Sequence, residues 1–153
     1  MLSCAYNSRA LVEVARLDLA LMDHGLKAAY GGLTGSTATD IINVVRGSFA
    51  ACIDIRALCN QGGSCPFWYD AAGAFPIAMG RGLRVIVTDA QGRPLVGSDH
   101  AIRTPVAFIV ANPDVAEVAI EAVREVACSK FMVESPSVPL VQTTECTRAR
   151  NVN

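Results

Sequence analysis

Few residues in this chain have the type and placement for chemistry, and Asp18 is the first of them. A helix over 8–29 puts Arg9, Glu13, Arg16, Asp23 and Lys27 on one polar stripe. Asp18 then falls opposite that stripe, among Leu11, Val14, Ala15, Leu21, Met22 and Gly25. A carboxylate on an apolar face is costly unless it is paired. It reads as a buried ion pair or backbone-held acid, as a subunit contact, or as a catalytic acid or base. Arg56 has a similar place on the apolar face of a second helix, although a simple hairpin sets it roughly 10 Å beyond the level of Asp18. Arg46 matches that level better but lies on the flank.

The remaining catalytic candidates are Asp99, His100 and Cys128. His24 and His100 are the only histidines, and each follows an aspartate (Asp23, Asp99) whose side chain points elsewhere, so neither pair is a ligand set. No metal and no cofactor is expected. A Cys-His nucleophile lacks any local signature. Cys128 falls on a polar stripe with Glu117, Glu121 and Arg124, which exposes its thiol to pairing, to a partner or to reagents.

The six cysteines include no C-x-x-C, which removes the main support for a zinc ribbon or a thioredoxin-like motif. Cys59 and Cys65 could bridge across Gly62-Gly63, and Cys4 with Cys146 could staple the termini. The first reading is reduced thiols in a cytoplasmic protein; the second is an exported, disulfide-stapled subunit.

Two further stretches could hold a ligand. Gly31-Gly32-Leu33-Thr34-Gly35-Ser36-Thr37 runs into a helix start, where Gly35, Ser36 and Thr37 could hold an anion on backbone amides. The stretch lacks the P-loop lysine and follows a helix, so its plain reading is one helix ending and another beginning. Phe67, Trp68, Tyr69 and Asp70, together with Arg56, form the other candidate. The aromatic run lines a pocket, anchors an interface, or plugs the end of a sheet.

The elements that must position these residues follow from periodicity. Helices over 8–29 and 37–59, joined by a short glycine-rich turn, predict an antiparallel hairpin spanning 8–60. Residues 61–82 read as an aromatic, Gly/Pro-rich connection. A strand at 83–88, a turn at Asp89-Ala90-Gln91-Gly92 and a return over 93–98 predict a β-hairpin. Pro105 opens a third, nearly all-apolar strand over 105–110, which should lie centrally. Asn112-Pro113-Asp114 starts a helix to about residue 129, with Val115, Val118, Ala119, Ala122 and Val126 inward. A tail over 131–153 carries one candidate edge strand at 138–143. The expected fold is α+β in a single domain: a helix hairpin plus an antiparallel sheet of three or four strands, covered by helices as a two-layer sandwich.

The segment from Val85 to Leu95 (Val85-Ile86-Val87-Thr88-Asp89-Ala90-Gln91-Gly92-Arg93-Pro94-Leu95) resembles the hairpin of many PAS- and Cache-type sensor domains, which implies small-ligand sensing. The element order downstream departs from those families.

Composition bounds the rest. The chain has 153 residues, 52% of them hydrophobic and 18% charged, which excludes an intrinsically disordered polypeptide. Thirteen basic against fourteen acidic side chains give a formal charge of -1 with no cationic block, so a nucleic-acid partner is not expected. No run reaches the ~18 apolar residues of a membrane span. A folded chain of this mass exposes about 7,400 Å². So few charges over that area favour a non-catalytic binding or assembly module that works as a homo-oligomer. The alternative is a small enzyme near the aromatic connection, using Asp18, Asp70, Asp89 or Asp99 with His100 or a cysteine.

Overall fold

A strand that is apolar at every position has to be covered on two sides, and residues 106–111 receive both covers. The structure, a computed structural model, describes residues 2–3, 8–31, 36–59, 65–95 and 101–127. In chain order these form β1 (Leu2–Ser3), α1 (Ser8–Asp23), β2 (Tyr30–Gly31), α2 (Thr37–Val45), β3 (Ala51–Asp54), α3 (Arg56–Cys59), α4 (Trp68–Ala71), α5 (Ala74–Gly80), β4 (Arg84–Asp89), β5 (Val106–Ala111) and α6 (Pro113–Ala127). The strands make one sheet in the order β2-β1-β3-β5-β4. β3 is its middle: it runs parallel to β1 on one side and antiparallel to β5 on the other, with Cys52 opposite Val110 and Asp54 opposite Phe108. β4 closes the far edge, antiparallel to β5.

The α+β class holds; the helix hairpin and the two-layer sandwich do not. Successive residues of β5 point to opposite faces. Ala107, Ile109 and Ala111 pack with Val14, Leu17 and Leu21 of α1 and with Ala119, Ile120 and Val123 of α6. Val106, Phe108 and Val110 pack with Ile41 and Val44 of α2 and with Phe75 and Ala78 of α5. The two N-terminal helices therefore lie on opposite faces of the sheet, and the molecule has three layers. The small side chains on the α6 side suit a helix that itself presents Ala116, Ala119 and Ala122.

Glycine explains why both predicted helices are shorter than expected. At the end of α2, Gly47 takes φ +78, its N–H donates to Val44 O at 2.9 Å, and Ser48 N–H donates to Asn43 O at 2.9 Å. That is a Schellman stop, which leaves 51–54 free to become the central strand. The same stop ends α1 at Gly25, where Gly25 N–H reaches Met22 O and Leu26 N–H reaches Leu21 O.

The C-terminal half follows the expected order more closely. β5 begins directly after Pro105, and α6 begins at Pro113. Its buried residues are Ala116, Ala119, Ile120, Ala122 and Val123; Ala119 and Ala122 were expected there, while Val115, Val118 and Val126 are only partly buried. Among the described residues, the return of the predicted hairpin is a single bridge, Thr88 with Pro94, and the ladder partner of β4 is β5. The connection at 61–82 carries α4 and α5; Pro76 fits α5 because it lies in the first turn, where no intrahelical N–H is required. The strand predicted at 138–143 lies outside the described residues.

Candidate functional site

β3 ends at the carboxyl edge of the sheet's parallel half, a region where α/β sheets commonly present ligand sites. Asp54, its last residue, is buried with no side-chain exposure, and Arg56, two residues on, keeps 12%. The guanidinium grips the carboxylate through Nε at 3.0 and 3.1 Å and Nη2 at 2.7 Å, and the Arg56 backbone N–H adds a fourth bond at 3.0 Å. The clamp turns the chain from strand into α3, whose Ala57 and Leu58 are buried. Asp54 was not singled out from the sequence. The signal for it was local: an acid two residues before an arginine, at the end of an apolar run.

Cys52 shares Asp54's face of β3. Burial pushes its thiol up to about 12, and the charges of Asp54 and Asp40 add to that. Cys65 also sits near this edge; burial raises its thiol as well, with Asp54 contributing the next-largest push. Neither thiol is poised as a nucleophile, because the thiolate is the reactive form. No disulfide joins Cys59 to Cys65, so the expected bridge does not form.

The aromatic run divides by role. Trp68 packs inward, 5.8 Å from the Phe75 ring, which in turn meets Phe108 edge-on at 5.5 Å. This is the plug. Phe67 and Tyr69 instead stack on each other, nearly parallel at 5.8 Å, with Tyr69 exposed. Asp70 holds the start of α4, accepting the Phe67 N–H at 2.8 Å. Asp89 is likewise committed to its own turn. It accepts the N–H groups of Gln91 and Arg93 at 2.8 and 3.0 Å and Arg93 Nε at 2.6 Å. Desolvation pushes the Asp89 carboxyl up, but these bonds outweigh it and hold the group below its ordinary value.

The other candidates do not converge. Arg56 is clamped on Asp54, and the exposed Arg46 caps the end of α2. Asp18 is half-buried, because the buried face of α1 is turned toward Val14, Leu17, Ala20 and Leu21. That turn has a counterpart. Leu11, Val12, Leu19 and Met22, of which Leu11 and Met22 were expected inside, are 55%, 51%, 62% and 57% exposed. α1 has more apolar circumference than the sheet and α6 cover. Ser36 caps α2, accepting Thr39 N–H at 3.4 Å, and Thr37 is the first helical residue. His24 lies 3.3 Å from Glu125 on α6. Gly35, Asp99, His100 and Cys128 lie outside the described residues.

Among the described residues no cluster of three or more His, Cys, Asp or Glu could hold a metal, and no helix is long and apolar enough to cross a membrane. No protein-family model, curated protein or solved structure matches the chain.

Proposed function

We propose that this protein is a non-catalytic binding or assembly module that works as a homo-oligomer, two copies meeting along α1. The observation that carries the reading is the stripe of Leu11, Val12, Leu19 and Met22, each more than half exposed on one helix. The stripe runs about 16 Å along the axis. Fully burying side chains of this kind yields about 1.5–3 kcal/mol each, so covering the exposed half of four offers about 3–6 kcal/mol per copy. A two-fold axis lets one patch serve both copies. The neighbouring Glu13 and Arg16 neutralise each other at 3.2 Å, so this pair adds no net charge beside the patch. The commitment of Asp54, Asp70 and Asp89 to internal bonds supports a scaffold in preference to a catalyst.

Light scattering coupled to size exclusion, with the full chain, tests this. A dimer or larger species is expected, and Leu19→Glu is expected to return it to a monomer that still unfolds cooperatively, with a midpoint that no longer rises with protein concentration, because the side chain is exposed in the single copy. A wild-type chain that stays monomeric at high concentration, or a Leu19→Glu chain that still associates, overturns the reading.

A further inference from the structure

A cleft of about 400 Å³ opens where β4 begins beside α6, lined by Gly82, Leu83, Arg84, Pro113, Ala116 and Glu117. Its walls are tied together. Arg84 pairs in the ladder with Ala111, and β5 passes through Asn112 straight into α6. Gly82, at φ +78, and Leu83 complete a tight turn off α5, donating to Met79 O and Ala78 O. The cleft is therefore built on fixed backbone.

Its charges are unspent. Arg84 and Glu117 face the same cleft but form no ion pair with each other, whereas five other pairs close among the described residues. Arg84 Nε is buried and has no hydrogen-bond partner. Leaving such a donor unmet is costly, the more so when it is charged. A guanidinium is shaped to take a carboxylate, while a carboxylate takes an ammonium. Leu83, Pro113 and Ala116 give the same lining apolar surface. Asp114, in the first turn of α6, already offsets the positive end of that helix. The surroundings are thus close to electroneutral, which disfavours a bare anion and favours a ligand carrying both charges.

We propose that this cleft binds a small zwitterion of the apolar amino-acid class. Arg84 holds its carboxylate, Glu117 its ammonium, and Leu83, Pro113 and Ala116 its side chain. The site is on the sheet's far edge strand and does not depend on the α1 stripe.

Titration calorimetry on the full chain with L-leucine tests the proposal, alongside 4-methylpentanoate (no amine) and isopentylamine (no carboxylate). Saturable binding of L-leucine at one site per chain is expected, with both analogues at least about tenfold weaker. Arg84→Gln is expected to abolish L-leucine binding, and Glu117→Gln to lower it toward that of 4-methylpentanoate. Should Arg84→Gln fail to fold, Arg84→Lys keeps the stem and charge but loses the fork, and a weakened affinity is expected from it. The proposal fails if L-leucine gives no saturable heat, or if it binds the Arg84 and Glu117 variants as tightly as the wild type. It also fails if the two analogues bind as well as L-leucine. The oligomeric state, read in the same samples, separates this result from that of the α1 interface.

Discussion

At the scale of single residues, the strongest statement concerns a pair. Asp54 and Arg56 are buried together, and stripping one charge from such a pair strands the other in a low-dielectric setting. Asp54→Asn and Arg56→Met are each expected to cost about 3–5 kcal/mol in urea unfolding. The double variant Asp54→Leu, Arg56→Met should lose less than the sum of the single variants, because it leaves no orphan charge. Two other groups set the limits of pH stability. The Cys52 thiol ordinarily titrates at 9.0 and is pushed up to about 12 in the fold, so the unfolded chain ionises first. Its contribution to stability is complete below 9 and declines as pH rises from there toward 12. Asp89 works in the opposite sense. Its carboxyl is held below 3.8, so its contribution is present above that value and fades as the medium is acidified through the folded-state value. Thermal melts across pH, with Cys52→Ala and Asp89→Asn as controls, should show each variant flattening its own limb. A Cys52→Ala chain with an unaltered alkaline limb contradicts the assignment.

At the scale of elements, glycine stops govern how the chain is divided. Gly47 adopts a left-handed φ and nothing lies within 4 Å of a built Cβ, so the penalty for a side chain there is in the backbone alone. Gly47→Ala is expected to destabilise by about 1–2 kcal/mol, and Gly47→Asn by less, as read from denaturant midpoints. The same glycine accounts for the main misreading of the sequence. Ile41, Val45, Phe49, Cys52 and Ile53 fit a helical face as well as they fit a helix followed by a strand, because four residues are too few to show an alternation. By contrast, the apolar run at 106–111 and the Asn112-Pro113-Asp114 entry carried their own punctuation, and both elements appear where that punctuation puts them. Which side of the sheet each helix takes was not legible. That depends on β5 having two apolar faces, a tertiary requirement that no local window contains. The site was legible only in fragments. Arg56 and Asp70 were singled out, but Asp54, Arg84 and Glu117 acquire meaning only from neighbours distant in sequence.

At the scale of the whole molecule, the sheet is unevenly secured. Among the described residues, β3 meets β5 through four registered residue pairs but meets β1 through one, and β1 holds β2 through two. Amide hydrogen exchange followed by mass spectrometry is expected to label peptides from β1 and β2 well before those from β5, whose six residues are all buried. Equal protection across the five strands contradicts this. The consequence reaches beyond the native fold. Whenever the first two strands peel away, the middle strand is left with a bare row of donors and acceptors, an open invitation to the same stretch of another molecule. Strand exchange between copies should therefore begin at that seam, and storage-aged material should carry its swapped segments at the N-terminal end.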